Sequence, residues 1–193
     1  YDLIAEMSED VEVITIVDTV ANQNDILDEF ENNDVDLNNC SFMIAPSNSY
    51  WTRDYGPWFV LSETEMELKV VDFEYNRPRI HDNNIPNVFS DHQGLNYTYM
   101  DLIQTGGNYM TDGNGIAIST DLVIEENPGK TLQDIQQIMH QYLGITTYHL
   151  PSDVNGEYIK HIDCWAKYLS PETILIREVP ETHPQYQEIE AAV

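Results

Sequence analysis

The segment from Thr131 to Gly144 constrains the fold most strongly, because both of its ends and its buried face are visible in the residues. Thr131 and Asp134 form a capping-box pattern that starts a helix, and Gly144 ends it. Between these ends lies an apolar stripe at helical spacing, formed by Leu132, Ile135, Met139 and Tyr142. The sequence therefore predicts a helix over Leu132–Leu143.

Short β-branched segments on both sides of this helix predict a mixed α/β fold. Asn, Asp and Pro are dense from Tyr75 to Gln93, which predicts a long surface loop. A short helical stripe spans Ile26 to Phe30, and two short strands are expected to end near Ile124. The pattern resembles strand–strand–helix–strand units without a sequence repeat or an interdomain linker. Further strands are predicted at 11–17, 41–45, 58–61, 68–73, 146–150, 161–169 and 174–177.

Acidic residues far outnumber basic ones: 34 Asp and Glu against eight Lys and Arg give a net charge of −26. Such a field repels nucleic acid and anionic membranes, so neither is expected as a partner, and it attracts cationic ligands. Solubility or adaptation to salt explains most of this charge. Two cysteines in 193 residues argue against a disulfide scaffold, and no apolar run has membrane-spanning length. No secretory-signal pattern is present, and the sequence leaves secreted and cytoplasmic locations both open.

The first candidate site segment is WTRDYGPW at residues 51–58, which places one carboxylate among aromatic side chains. Asp54 could cap a turn or pair with Arg53, but adjacent residues on a strand face opposite ways, which makes Arg53 a poor partner if the segment is extended. A turn at Gly56-Pro57 would hold Asp54 at a strand end, where ligand sites tend to form. Trp51 could stack on a guanidinium.

The second segment is KHIDCW at residues 160–165, in which a histidine stands two positions before a carboxylate. On a strand, His161 and Asp163 would project from one face, while Cys164 would point away. A structural His–Asp hydrogen bond and a zinc site are alternatives, although no HExxH or CxxC spacing accompanies the pair. Two carboxylates and a histidine in one pocket would suit a guanidinium group, because its forked N–H groups match carboxylate oxygens.

Four other polar or reactive residues need an interpretation. Arg77 and Arg79 flank a proline, and they could pair with nearby carboxylates or bind the carboxylate of a substrate. Cys40 and Cys164 are not expected to be nucleophiles, since a reactive thiol needs an exposed, electropositive setting. The turn from Asp112 to Gly115 lacks the remaining ligands of a calcium loop and is interpreted as a hairpin turn.

Taken together, four segments resemble the bacterial, Porphyromonas-type peptidylarginine deiminases, which belong to the pentein group of guanidine-modifying enzymes. The segments are WTRDYGPW (51–58), DFEYNRPR (72–79), TGGNYMTDGNGIAISTDLVIEEN (105–127) and YIKHIDCWAKYL (158–169). They occur in the family's order and cover most of the chain. The resemblance implies a pentein-type α/β propeller, with five-fold pseudosymmetry and strand–helix modules around a central site.

The resemblance also implies a hydrolase that converts arginine to citrulline and ammonia through a cysteine-bound intermediate, with no metal or cofactor. Asp54 and Asp163 would grip the guanidinium, and His161 would shuttle protons. Arg77 and Arg79 would bind the α-carboxylate of a C-terminal arginine, which favours peptidyl or free arginine over agmatine, a substrate without a carboxylate. The arginine side-chain channel would be lined by Trp51, Tyr158 and Ile159.

In the family the nucleophilic cysteine lies well beyond the HIDC segment, whereas this chain stops at Val193. Apolar residues at helical spacing also reach both ends of the chain, in 3–7 and in 186–193. Residues 1–193 are therefore expected to be an incomplete propeller and part of a deiminase catalytic domain, inactive without the remaining part of that domain. The alternatives are an agmatine deiminase-like enzyme and a non-catalytic module that binds arginine.

Overall fold

The computed structural model describes residues 1–62 and 66–191, which form a mixed α/β structure. Single 3₁₀ turns lie at Leu37–Asn39, Gly106–Asn108 and Ile162–Cys164. The helices are α1 (Asp2–Asp10), α2 (Val20–Glu31), α3 (Thr52–Tyr55), α4 (Ile80–Gln93), α5 (Leu122–Glu126), α6 (Leu132–Leu143) and α7 (Tyr186–Ala191). The strands are β1 (Val13–Val17), β2 (Cys40–Ile44), β3 (Trp58–Ser62), β4 (Glu67–Tyr75), β5 (Asn96–Gln104), β6 (Met110–Thr111), β7 (Ile116–Ile118), β8 (Thr147–His149), β9 (Ala166–Ser170) and β10 (Thr173–Ile176).

Two strand–strand–helix–strand modules follow one another along the chain. In the first module, β3 pairs antiparallel with β4, α4 crosses over, and β5 pairs parallel with β4. In the second, β6 pairs antiparallel with β7, α5 and α6 cross over, and β8 pairs parallel with β7. Parallel neighbours need such a crossover, whereas antiparallel neighbours can be joined by a tight turn. The predicted module pattern is therefore present twice.

The flanking elements form two smaller sheets. Parallel strands β1 and β2 are joined through α2, and β9 and β10 form an antiparallel pair that precedes α7. Each sheet within residues 1–62 and 66–191 is open and has two or three strands. The mixed α/β prediction is confirmed, while closure of the modules into a propeller remains a prediction. Among the helices described, none is long and apolar enough to cross a bilayer.

The largest core cluster joins the two modules and carries the helix predicted from its capping box. Thr131 Oγ1 accepts from the Asp134 backbone N–H at 3.2 Å, and Gly144 ends α6 with φ +69°. Ile135 and Met139 of α6 are fully buried. Their partners in this cluster come from β4, β5, β7, β8 and neighbouring segments: Val71, Phe73, Met100, Leu102, Ala117, Val123, Ile145 and Tyr148. The prediction of this helix is confirmed, and Ile135 and Met139 of the predicted stripe are buried, whereas Tyr142 is half-buried and Leu132 is 47% exposed.

Two other core clusters lie under the candidate site segments. Tyr55 of α3 packs with Met43, Tyr75 and Ile85. Ile162, in the 3₁₀ turn that follows His161, packs in a cluster with Met110, Val154, Trp165, Ala166 and Ile189. Tyr55 thus anchors the segment of Asp54, and Ile162 anchors the segment of His161. Burial of one such side chain stabilises the folded protein by roughly 1.5–3 kcal/mol.

The prediction of a loop from Tyr75 to Gln93 is wrong for most of these residues, because Ile80–Gln93 form α4. Its buried positions, Asp82, Ile85, Pro86 and Ser90, follow a helical spacing. Two of these four are polar and one is a proline, so the face does not look like a core stripe in the sequence. Burial against the first sheet outweighs the poor helix propensity of the Asn-rich segment.

Four other sequence predictions need correction. Strand β5, Asn96–Gln104, was not expected, and the segment ending near Ile124 is the helix α5, Leu122–Glu126. The strand predicted from His161 begins only at Ala166. Residues 52–55 form a helical turn and are not extended. The helical spacing predicted near the end is found in α7, while Val193 lies outside the described residues.

Candidate functional site

Asp54 is held by a single helical turn between two loops. The Asp54 N–H donates to the Trp51 carbonyl at 2.9 Å, and Gly56, with φ +87°, ends the turn before β3. A positive φ of this size favours glycine, which explains the abrupt change of direction. Tyr55 is buried beneath the turn and donates through its hydroxyl to the Ser49 carbonyl at 3.2 Å. Asp54 is thereby fixed at the surface of a buried aromatic anchor.

Two glycines bring the end of β5 against α3 and against His161. A Cβ at Gly106 would lie 1.9 Å from the Arg53 carbonyl oxygen. A Cβ at Gly107 would lie 2.3 Å from His161 Nδ1 and 2.8 Å from Asp54 Oδ1. Backbone approach as close as this is available only to glycine. The missing side chain at Gly107 therefore provides the space in which Asp54 and His161 meet.

His161 and Asp54 form the central pair of the site. His161 Nδ1 lies 3.7 Å from Asp54 Oδ1, and the two side chains are 7% and 18% exposed. Burial lowers the pKa of His161, and the positive charge of Arg77 acts in the same direction, while the carboxylates of Asp54 and Asp163 oppose it. Because the net direction is downward, the imidazole is predominantly neutral at pH 7. His161 Nε2 is buried and has no hydrogen-bond partner among the described residues.

Asp163 belongs to the same electrostatic cluster, although the strand-face argument that paired it with His161 is wrong. Residues 162–164 form a 3₁₀ turn, so their side chains do not alternate between two faces. Partial burial raises the pKa of Asp163; His161 lowers it and Asp54 raises it further. Each of the three groups affects the protonation of another, which makes the cluster suited to a shared proton or a bound cation.

An extended strand predicted that Cys164 would point away from the cluster. This prediction is wrong. The residue is exposed, and its thiol lies close enough to the Asp163 carboxylate to be affected by it. Burial of the thiol, together with the nearby carboxylates of Asp163 and Glu157, raises its pKa to about 11. Burial also raises the pKa of Cys40, and Asp36 adds to the effect. Both thiols are protonated at pH 7, whereas a nucleophilic cysteine reacts as the thiolate.

Arg77 and Arg79 follow β4 and approach the site differently. Arg79 donates to the Tyr75 hydroxyl at 3.2 Å and to Ser49 Oγ at 3.3 Å, so its guanidinium is tied to the base of the site. Arg77 donates to the Asn76 carbonyl at 3.4 Å. The charge of Arg77 lowers the pKa of both His161 and the nearby carboxyl of Glu126, whose pKa burial raises overall. Arg77 is therefore the arginine whose charge reaches the histidine.

The predicted channel residues are the least enclosed part of the site. Trp51 is 47% exposed and packs against Tyr50, with the ring centroids 4.6 Å apart. Tyr158 is 89% exposed, and Ile159 is half-buried. The hydrogen bonds and ring contacts described do not join Tyr158 or Ile159 to Asp54 or His161. Their roles in a channel stay predictions.

Sequence reasoning assigned no role to Gly106, Gly107, Asn108 or Thr120, all of which are fully buried beside His161. The available signal was the run Gly106-Gly107-Asn108 within the segment TGGNYMTDG. Consecutive glycines at the end of a strand indicate a close backbone approach. In the described part of the chain, no three His, Cys, Asp or Glu residues are grouped so that they could hold a metal ion.

The fold matches those of solved deiminase structures. The structure of a putative agmatine deiminase superposes with a TM-score of 0.85 at 24% identity, covering 98% of this chain and 56% of that one. A putative arginine deiminase from Porphyromonas gingivalis gives a TM-score of 0.80 at 19% identity, covering 98% of this chain and 59% of that one. At these identities the two structures establish the shared fold.

The chain belongs to the Porphyromonas-type peptidyl-arginine deiminase family, whose model matches residues 1–193. The resemblance in the four segments is thus confirmed. A putative agmatine deiminase of Streptomyces avermitilis is 28% identical over 156 residues, which are 71% of this chain and 45% of that protein. The chain spans about half the length of the relatives it matches.

Proposed function

We propose that residues 1–193 form the guanidinium-binding part of a deiminase that hydrolyses the guanidino group of arginine. The proposal rests mainly on the Asp54–His161 pair, whose atoms meet at 3.7 Å in the space left by Gly107. Asp163 adds a second carboxylate close enough to alter the pKa of His161. Membership of the deiminase family supports the same reaction class.

In the proposed reaction, Asp54 and Asp163 accept hydrogen bonds from the guanidinium and hold its planar carbon for attack. Neutral His161 takes the proton of a cysteine thiol, and the thiolate adds to the guanidinium carbon. His161 then gives that proton to the departing ammonia. Next it removes a proton from water, and the resulting hydroxide attacks the same carbon. The carbon–sulfur bond then breaks, the ureido product loses its extra proton to the solvent to give citrulline, and His161 returns its proton to the cysteine thiolate. The lowered pKa of His161 suits it to begin as the base.

We propose that the nucleophilic cysteine lies outside residues 1–193. Burial raises the pKa of both Cys40 and Cys164, and the nearby Asp163 carboxylate adds to the effect at Cys164. The relatives are about twice as long as this chain, which leaves room for such a residue. In this proposal, the modules of residues 1–193 are part of a larger propeller-shaped catalytic domain.

The preferred substrate in this proposal is arginine with a free carboxylate, including arginine at the C-terminus of a peptide. Arg77 supports it, because its charge reaches His161 and a guanidinium group is suited to binding a carboxylate. Agmatine is the second candidate, since the relatives of similar sequence are named agmatine deiminases. Arg79 carries less of the argument, as Tyr75 and Ser49 already engage it.

The decisive experiment measures ammonia and the ureido product from a peptide with C-terminal arginine, from free arginine and from agmatine. The full-length gene product is compared with the variants Asp54→Asn and His161→Gln, which we expect to lose at least about 100-fold in kcat. Asp101→Asn is the matched control. It also removes one carboxylate, but Asp101 lies on β5 and pairs with Lys130 at 3.1 Å. Saturable arginine binding without turnover in the full-length protein would instead indicate a non-catalytic binding module.

Substrate class is tested with Arg77→Ala and the charge control Lys130→Ala. If Arg77 binds a carboxylate, KM for the arginine peptide rises about 10-fold or more, as expected for loss of a charge-assisted hydrogen bond, while KM for agmatine changes little. Equal effects on both substrates, or a clear preference of the unmodified protein for agmatine, would assign the enzyme to the agmatine class.

A further inference from the structure

The backbone on the N-terminal side of His161 adopts an unfavourable conformation that is stabilised by contacts with other segments. Lys160 has φ +48°, in the left-handed region that residues other than glycine seldom occupy. Its carbonyl accepts a hydrogen bond from Thr120 Oγ1 at 2.6 Å. Its ammonium group also lies 2.6 Å from the carboxylate of Glu125. That ion pair is exposed and contributes little, so Thr120 is the main restraint on this side.

The C-terminal side of His161 is held by the neighbouring turn. Asn108 Oδ1 accepts from the Ile162 N–H at 3.3 Å and from the Thr120 N–H at 2.8 Å. Asn108 and Thr120 are both fully buried. One side-chain amide therefore connects the residue after His161 to the threonine that holds the residue before it.

The side chain of His161 has no comparable restraint of its own. Its Nδ1 is 3.7 Å from Asp54, longer than a hydrogen bond, and its Nε2 has no partner among the described residues. The imidazole position must therefore be set by the backbone and by packing. Asn108 directly follows Gly107, so the same turn that makes room for the imidazole also holds its backbone.

We propose that Asn108 and Thr120 are positioning residues that clamp the backbone on both sides of His161 and thereby hold its imidazole against Asp54. The effect on turnover rests on the proposed deiminase function, whereas the effect on the position of His161 does not. Small displacements of a reacting group, on the order of 1 Å, cost roughly 100-fold in rate. The clamp should consequently act on kcat more than on KM.

The main test compares Thr120→Val with Thr120→Ser in the full-length protein. Valine has the shape of threonine but cannot donate to Lys160, whereas serine keeps the hydroxyl. We expect Thr120→Val to lower kcat about 10- to 100-fold with KM changed less than about 3-fold, and Thr120→Ser to stay within about 3-fold of the unmodified protein. Thr131→Val is the control, because it removes the hydroxyl that caps α6, away from His161.

A second readout does not require activity. The pKa of His161 is followed by NMR in labelled protein and assigned with His161→Gln. We expect Thr120→Val to move this pKa upward, towards its ordinary value, because a loosened imidazole is better solvated. Thr120→Ser and Thr131→Val should leave it unchanged. A protein that is inactive on every substrate but shows this shift would refute the proposed function and support the clamp.

A variant that keeps the acceptor provides a test if Thr120→Val fails to fold. Asn108→Asp retains an oxygen for both N–H groups but places a buried carboxylate at the backbone of Ile162, the residue after His161. We expect the acid limb of the kcat/KM profile and the pKa of His161 to rise together. The clamp is overturned if Thr120→Val only lowers Tm, as Thr131→Val does, with kcat and the His161 titration unchanged. A plateau kcat in Asn108→Asp that falls as far as expected for Thr120→Val, although both N–H groups keep an acceptor, would also overturn it.

Discussion

Helices α4 and α6 occupy the same place in the two modules but are stabilised in opposite ways. α6 carries its own capping box and an apolar stripe, with Ile135 and Met139 fully buried. α4 receives no capping hydrogen bond from the side chain of Arg79, the residue that precedes it, and has Pro86 inside it. Its stability depends on contacts with residues distant in sequence. α6 is therefore stabilised by its own sequence and carries the main core, whereas α4 is stabilised by contacts with residues next to the candidate site.

The contacts of α4 show what it does in return. Asp82 is fully buried and accepts hydrogen bonds from the Asn48 N–H at 2.6 Å, the Ser49 N–H at 3.1 Å and the Ser49 hydroxyl at 2.6 Å. Asn83 Oδ1 accepts from the Tyr75 N–H at 2.6 Å. These bonds fix the loop that leads to Asp54 and the end of β4 that leads to Arg77. α4 therefore organises both approaches to the candidate site.

The largest effect is expected from Asp82→Ala. It would remove the one acceptor that three donors of the loop at Asn48 and Ser49 share, and we expect the free energy of unfolding to fall by about 3 kcal/mol. Urea unfolding measures this change, with Asp91→Ala, an exposed carboxylate on the same helix, as the control. If both variants lose the same small amount of unfolding free energy, the proposal that α4 organises the site is wrong.

A second buried carboxylate in the same module should make stability depend on pH. Burial raises the pKa of Asp72 to about 6, while hydrogen bonds from the Tyr97 hydroxyl and the Phe73 N–H partly oppose this. The folded state thus binds a proton more tightly than the unfolded chain does. Asp72 consequently costs stability above pH 6, by at most about 3 kcal/mol, and this cost disappears as pH falls from about 6 to about 4.

The measurement is the difference in unfolding free energy between the unmodified protein and Asp72→Asn from pH 4 to pH 7. The amide introduced by this substitution cannot ionise, so the variant should gain relative stability as pH rises through this range. A difference that stays constant with pH would mean that the Asp72 carboxyl titrates at its ordinary pKa in the folded protein.

Gly107 lies in the 3₁₀ turn between β5 of the first module and β6 of the second, where we expect Gly107→Ala to disturb the candidate site. Its methyl group would lie 2.3 Å from His161 Nδ1, so the imidazole, Asp54 or the turn must shift. We expect kcat to fall about 100-fold, which corresponds to about 2.7 kcal/mol of transition-state stabilisation. Gly113→Ala is a useful control for loss of a glycine, since it has φ +79° in an exposed hairpin turn and open space around it. Similar kinetics for the two variants would contradict the steric argument.

The smallest effect should come from the self-capped helix. Thr131→Ala removes the hydroxyl that accepts from the Asp134 N–H, and we expect a loss of about 1 kcal/mol in unfolding free energy. Thermal unfolding should show a modest decrease in Tm, with the kinetic constants unchanged. A loss as large as that of Asp82→Ala would remove the contrast between the two helices.

Local signals predicted the elements that stabilise themselves. The cap and stripe of α6 gave its boundaries, and β-branched runs gave β1, β3 and β4 to within two residues. The hairpin turn at 112–115 was also identified, and Asp112 Oδ1 accepts from the Asn114 and Ile116 N–H groups there. α4 and β5 were missed, because their stability comes from burial against each other and against β4, which the sequence does not display.

The candidate site shows the same division. Asp54, His161 and Asp163 were recognised by residue type and by their surrounding motifs, and the structure brings them into one electrostatic cluster. The reason given for their proximity was wrong, since neither segment is a strand at that point. Gly107 and Asn108 lie in one of the four matching segments but were given no role, because their contribution is a close approach and a backbone hydrogen bond, which depend on distant partners.

The meeting of Asp54 and His161 at Gly107 also makes the site a reporter of folding order. Asp54 and Gly107 are 53 positions apart in the chain, and Gly107 and His161 are 54 positions apart. Local elements such as α6 form on the microsecond scale, but contacts this distant require large loops to close first. The pair can therefore form only after both modules have docked, so the depressed pKa of His161 should be acquired at the end of folding.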